Sequence, residues 1–143
     1  MSDLTQNRAV VRAFIEALDR QDLDAALACI VDDYAWQGNG PDGQTQGHGK
    51  ENFRAAALAF TDALPDHRME ILDMVAEGDR VAIRLRESGH HTGTDFCGVK
   101  AAGAWVEWYP FDIFRIEAGK LAQEWFADDP YTIRKSLGLK EIG

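Results

Sequence analysis

The sequence predicts an α+β fold in which N-terminal helices pack on a curved, mostly antiparallel sheet and close it into a cone. Three observations predict it. Apolar residues recur at helical spacing through the first third of the chain. They alternate with period two in the second half, which is rich in aromatic and β-branched residues. Short turn signals then divide that half into successive strands, and helices followed by strands argue α+β. The 143 residues suit one domain spanning 1–143, since domains commonly run to about 100–150 residues. A chain of this length buries a core without metal or disulfide staples. The mouth of a cone is a natural small-molecule site.

The elements follow in order. Thr5 or Asn7 can cap a first helix whose apolar face is Val10, Val11, Phe14, Ile15 and Leu18. Asp22 can cap a short second helix carrying Leu23, Ala26, Leu27 and Ile30. Tyr34-Ala35-Trp36 reads as a short strand. Gly38-Asn39-Gly40-Pro41-Asp42-Gly43 is the densest turn signal and reads as a loop extending through Gly49. A third helix runs from about Lys50 to Leu64 and stops at Pro65. His67 to Ala76 is a strand, and Glu77-Gly78-Asp79 a tight turn. Arg80 to Ser88 alternates, with Val81, Ile83 and Leu85 on one face. Ala104 to Ile116 is one long strand, apolar on both parities. Leu121 to Ala127 is the last strand, and Pro130 opens a terminal helix ending near Gly138.

The composition excludes several classes. Fifteen basic residues stand against 24 acidic ones, a net charge of -9 with His neutral. With no basic run, nucleic acid and anionic membranes are not expected as partners. No stretch approaches the roughly 20 apolar residues of a membrane span. Met1-Ser2-Asp3-Leu4-Thr5 lacks a basic or apolar signal, so a cytoplasmic location is expected. Cys29 and Cys97 lie far apart and read as reduced thiols. The two cysteines and four histidines show no metal spacing, and His90-His91 is adjacent rather than i, i+4. Gly38 to Gly49 lacks the Lys-Ser/Thr ending of a phosphate loop, and no Ser or Cys sits in a nucleophile motif.

Several segments, in order, resemble one family. They are Asp22-Leu23-Asp24 with Asp33-Tyr34, then Leu64-Pro65-Asp66, then Glu77-Gly78-Asp79-Arg80-Val81. They continue with Gly89-His90-His91-Thr92-Gly93, Phe111-Asp112-Ile113-Phe114-Arg115-Ile116, Gly119-Lys120-Leu121, Trp125 and Asp129. Over residues 7–138 the layout is similar to the nuclear transport factor 2-like fold and, within it, to SnoaL-like polyketide cyclases. The resemblance implies an enzyme that needs no cofactor, with Asp129 as its general acid/base. Relatives with this fold often form dimers through the sheet.

The residues themselves offer three candidates. Leu121, Gln123, Trp125, Ala127 and Asp129 share one parity, so Asp129 follows Trp125 onto one face. There it is either a desolvated base able to take a proton next to a carbonyl or the cap of the helix that Pro130 opens. Asp128, of opposite parity, is the better cap. His91 shares a face with Val81, Ile83, Leu85 and Glu87 if the strand continues unbroken. It either holds an enolate in the pocket or bonds backbone in a turn flanked by Gly89 and Gly93. Asp112 lies in parity with Trp108, Pro110, Phe114 and Ile116. It is either a raised-pKa acid or the partner of Arg84 or Arg86.

The expected site is therefore catalytic Asp129 and His91, in a substrate pocket of Trp36, Phe53, Glu87, Trp108, Asp112 and Trp125, with no cofactor and no metal. The expected substrate is a small apolar carbonyl compound, cyclised as in a polyketide (aldol) cyclase. An isomerase, a dehydratase, an epoxide hydrolase or a non-catalytic ligand-binding dimer would use the same features. Trp105, Tyr109, Phe111 and Ile113 form a second apolar face, for which a homodimer through the sheet is the expected cover.

Overall fold

The structure, a computed structural model, describes residues 3–139. Met1 and Ser2, which open the segment read for an export signal, and residues 140–143 lie outside the described residues. Helix α1 (Leu4–Asp19) starts earlier than Thr5 or Asn7 suggested. Asp3 is its cap and accepts from the backbone N–H groups of Thr5 and Gln6 at 2.9 and 3.2 Å. Val11, Phe14 and Ile15 form its buried stripe. Helix α2 (Leu23–Ala28) begins at the cap Asp22. Helix α3 (Lys50–Ala63) ends just before Pro65. The three helices share one apolar core with the inner face of the sheet, where Tyr34, Leu85, Phe114 and Leu121 are fully buried.

The curved, unclosed sheet has seven strands: β1 (Ile30–Gly40), β2 (Gly43–His48), β3 (Arg68–Glu77), β4 (Arg80–His91), β5 (Ala104–Trp108), β6 (Phe111–Glu117) and β7 (Lys120–Ala127). Their order is β2-β1-β7-β6-β4-β3, with β5 paired to β4. All pairings are antiparallel except that of β1 with β7. Helix α4 (Pro130–Ser136) closes the described chain and packs on β5.

The short strand expected at Tyr34-Ala35-Trp36 runs from Ile30 to Gly40 and takes Ile30 from the second helix, and two further segments differ from the sequence expectation. The glycine-rich stretch expected as a loop is a hairpin, β1 and β2 meeting at Pro41-Asp42. Two of its glycines, Gly38 and Gly47, serve close approach, while Gly43 turns the chain at a positive φ of 112°. A Cβ on Gly38 would fall 1.9 Å from the Phe126 carbonyl oxygen, and one on Gly47 2.1 Å from the Trp36 ring. The long strand expected over 104–116 breaks at Tyr109-Pro110. β5 pairs with the far half of β4, and β6 with its near half.

The feature that sets the site is a bulge in β7. Leu121 faces Ile116 and Gln123 faces Arg115, which leaves Ala122 as an extra residue. Leu121 and Ala122 are both buried. Beyond the bulge the parity is reversed, so Glu124 and Phe126 turn inward while Gln123 and Trp125 turn outward. On the outer face Trp105, Tyr109, Phe111 and Ile113 stay exposed. The Arg84–Asp73 and Arg86–Glu107 ion pairs lie among the neighbouring strands at 2.6 Å each. Among the described residues no helix is long and apolar enough to cross a membrane.

Candidate active site

Between the helices and the inner face of the sheet lies a cavity of about 700 Å3. Phe14, Phe53, Trp36 and Phe126 give it apolar walls. The Pro41-Asp42 turn and the loop from Thr94 to Cys97 border it at one side, where the Cys97 thiol donates to the Pro41 carbonyl at 3.8 Å. Seven carboxyl side chains line this cavity, and among the described residues no lysine or arginine does.

Four of the carboxyls form its polar end. Asp112 (β6), Glu124 (β7) and Glu87 (β4) are buried, and Asp128 follows β7 directly. The Asp128 backbone N–H donates to the Asn39 carbonyl at 2.8 Å. This bond carries the β1–β7 pairing one residue past the strand and keeps Asp128 on the inward parity set by the bulge. The Tyr34 hydroxyl, itself fully buried, donates to Glu124 Oε1 at 2.6 Å. Asp112 Oδ1 is enclosed with no hydrogen-bond partner. Glu87 Oε1 lies 2.7 Å from His67 Nε2.

Burial without a cation sets the protonation. Burial pushes Asp112 well above the usual carboxylate range, and the adjacent Glu124 charge pushes it further. Glu124 is raised by burial, against the hydrogen bonds from Asp112 and Tyr34 that favour its charged form. Asp128 is pushed up to about 9, by burial first and then by the charges of Glu87 and Glu124. Burial thus favours the acid form of Asp112 and Asp128, while the hydrogen bonds to Glu124 make it the member of the group that best carries a charge. Burial pushes the Cys97 thiol up to about 11, so the thiol at the cavity's edge is not a thiolate nucleophile. Among the described residues no three His, Cys, Asp or Glu side chains are arranged to hold a metal ion.

The cavity contains Trp36, Phe53, Glu87 and Asp112. It does not contain the other four residues expected there. Asp129 is displaced by the bulge. It occupies the cap position of α4 in a left-handed conformation (φ 54°), and its side chain makes no cap bond. The neighbour read as the cap, Asp128, is the one that reaches the cavity. Trp125, outward for the same reason, lies under the Arg80 guanidinium at 4.8 Å. The parity of β4 does hold as far as His91, which is 1% exposed. It does not line the cavity; its ring packs beside Phe96, and Nε2 donates to the Thr94 carbonyl at 2.7 Å. Trp108 is fully buried behind His67, in a separate small core with Leu64 and Ile133. Asp112 has no arginine, because Arg84 and Arg86 are paired to Asp73 and Glu107.

Sequence reasoning missed Glu124, Tyr34 and His67 as site residues. Glu124 is hidden by the bulge. Tyr34 has a usable signal, since it shares its parity with Trp36 on the strand read there. His67 stands at a strand edge after Pro65-Asp66 and has none.

The profile of the SnoaL-like polyketide cyclases matches residues 8–137. The chain belongs to the SnoaL-like polyketide cyclase family. Solved structures of similar shape include TsrD from Streptomyces laurentii, 26% identical, covering 98% of this chain and 100% of that one, with a TM-score of 0.83. IdmH from Streptomyces antibioticus, a candidate polyketide cyclase, is 24% identical over 94% and 99% of the two chains, TM-score 0.81. An epoxide hydrolase of the LEH-like kind from M. tuberculosis is 18% identical over 95% and 92%, TM-score 0.74. No functionally curated protein matches the chain. Family membership fixes the scaffold, which carries several chemistries; in this member the acids stand on β6, β7 and the residue after β7.

The protonation pattern has a measurable consequence. Folded Asp128 keeps its proton to about pH 9, whereas an unfolded aspartate loses it near about pH 4. Folding thus binds a proton across that window, and this contribution to stability is lost as the pH rises through it. Urea unfolding should show Asp128→Asn losing less stability than wild type between about pH 5 and about pH 9. Equal slopes for the two proteins would contradict the buried acid.

Proposed function

We propose that this protein is a cofactor-free acid/base enzyme that cyclises a small, uncharged, apolar carbonyl compound. The observation that carries this reading is the cluster of Asp112, Glu124 and Asp128, with the Tyr34 hydroxyl donating to Glu124, at the end of an aromatic cavity bordered by no lysine or arginine among the described residues. Glu124 is the base. Tyr34 and Asp112 hold its charge in place, and burial keeps it more basic than an exposed glutamate. Asp128 is the acid.

In the proposed reaction Glu124 takes a proton alpha to one carbonyl. The resulting enolate carbon attacks a second carbonyl of the same molecule, forming the ring bond. The oxygen of that second carbonyl takes the proton from Asp128. Return of the proton from Glu124 to Asp128 resets the site. Confinement between Trp36, Phe53 and Phe126 selects the folded conformer and supplies much of the rate. The acidic lining also repels carboxylates and phosphates, which favours uncharged substrates. An epoxide suits the same pair, with Asp128 protonating the epoxide oxygen and Glu124 activating water.

A panel of linear aryl diketones and aryl epoxides tests the assignment. Asp128→Asn and Glu124→Gln should each slow the best substrate by about 100- to 10,000-fold. Asp129→Asn should leave its rate unchanged, because that side chain is outside the cavity. Equal rates in wild type and Asp128→Asn would overturn the acid role, and turnover of epoxides alone would change the reaction to ring-opening hydrolysis.

We further propose that a second copy of the chain covers the outer apolar row of Trp105, Tyr109, Phe111 and Ile113. Charge pairs of both signs beside the row make the face self-complementary under a two-fold axis. Sedimentation equilibrium should give a dimer for wild type and a monomer for Phe111→Lys. A wild-type monomer would contradict it.

A further inference from the structure

The main path of the sheet ends on β2 at one side and β3 at the other, and the sequence treats these edges differently. β3 carries Arg68, Glu70, Asp73 and Glu77, and helix α1 packs against it. Asp19 of that helix accepts from the Met69 backbone N–H at 2.8 Å, so this edge is both charged and partly capped. β2 has no carboxylate, lysine, arginine or proline, and its register with β1 is unbroken. Every residue in it but Gly47 is exposed. An uncovered, uncharged and regular edge is a template for a further strand.

The ladder shows which backbone groups of β2 are free. The Gly49 N–H donates toward β1, to the Tyr34 carbonyl at 2.8 Å, whereas the His48 N–H points away from β1 and donates to Asn52 Oδ1 at 3.1 Å. Antiparallel pairing alternates residue by residue, so Thr45 bonds β1 as Gly49 does, while Gln44 and Gln46 turn their N–H and C=O groups outward from the sheet edge. Among the described residues no turn or loop backbone bonds these groups. The strand also reads the same in both directions, Gly43-Gln44-Thr45-Gln46-Gly47. A second copy laid antiparallel about Thr45 therefore sets Thr45 opposite Thr45, Gln44 opposite Gln46 and Gly43 opposite Gly47. At each Gln44–Gln46 pair the outward groups exchange both backbone hydrogen bonds. The Thr45 pair and the flanking amides are favourable cross-strand neighbours. One step further, Asp42 stands opposite the partner's His48 at both ends, an acid facing an imidazole in a chain whose net charge of -9 otherwise repels a second copy.

We propose that β2 is a homotypic docking edge, at which a second copy of this chain pairs antiparallel about Thr45 and continues the sheet from one molecule into the next. The pairing is independent of the acid/base chemistry and of the dimer through the outer face. Gly43, Gln44 and Thr45 also border the cavity, so it sets the cavity walls of the two copies side by side. A contact made by one strand of 6 residues is small against the roughly 1,600 Å2 of a standard interface. It is therefore the weaker of the two contacts and forms above the concentrations at which sedimentation reports the outer-face dimer.

Disulfide trapping in the full-length protein tests it. Opposite residues of a non-hydrogen-bonded antiparallel pair lie about 4.5 Å apart at Cα, within disulfide range. Under mild oxidation of the concentrated protein, Thr45→Cys should form a covalent dimer at least about tenfold faster than Gln44→Cys, whose own twin lies beyond the roughly 7 Å limit. Wild type, with Cys29 and Cys97 alone, sets the background. Equal rates for the two variants, or no dimer above background in either, would overturn the pairing. Trapping of Thr45→Cys should persist when Phe111→Lys is added to remove the outer-face dimer, and its loss there would overturn an independent edge. If Thr45→Cys does not fold, amide hydrogen exchange in wild type replaces it. The Gln44 and Gln46 amides should exchange more slowly as the protein concentration rises from about 0.05 to about 2 mM, and exchange that ignores concentration would overturn the proposal. Gln46→Pro removes one outward N–H and leaves the β1 ladder intact, so it should abolish the slowing at Gln44; slowing that survives it would overturn the register.

Discussion

Glu124 lies buried against Asp112 and Tyr34, and no cation among the described lining residues offsets its charge. Burying one carboxylate in low dielectric costs several kcal/mol, and a second charge beside it costs more. The fold meets that constraint by keeping protons. Asp112 and Asp128 stay as acids, and the Tyr34 hydroxyl is committed to the carboxylate that remains. The apolar walls, the acidic lining and the proton inventory all follow from this one arrangement. A lysine or arginine among these groups would make the cluster more stable and remove its capacity for proton transfer.

Backbone pairing decides which carboxyls are involved. The extra residue at Ala122 reverses the parity of β7 and brings Glu124, Phe126 and Asp128 to the inside. Without it, counting in twos from Leu121 leads to Trp125 and Asp129, the residues that sequence reasoning selects. Strands without a bulge are legible by the same counting. β6 places Asp112 among Phe114 and Ile116, and β4 carries its buried face as far as His91. In the case of His91 the face was legible but not the direction of the ring, because a three-residue contact to the Thr94 carbonyl takes it out of the cavity.

The helical third was legible because caps, apolar spacing and Pro65 agree with one another. The glycine-rich segment was not, because two of its glycines, Gly38 and Gly47, are needed where Phe126 and Trp36 approach β1 and β2, and only Gly43 marks the turn itself. His67 was illegible for a different reason. Its place at the cavity is set by Phe60, Glu87 and Trp108, which lie on three separate elements and meet only in the folded chain. The family scaffold could be read from short motifs in order; the chemistry of this member depends on one inserted residue and on contacts between distant segments.

The most direct test of the proton-sharing cluster is a carboxyl 13C NMR titration of the free protein, with the Asp and Glu side chains assigned. Asp112 and Asp128 should still be protonated at about pH 7, and Asp128 should lose its proton only near about 9. If both ionise near about pH 4, as exposed aspartates do, the cavity is wet, the carboxyls are ordinary and the acid/base chemistry assigned to them fails.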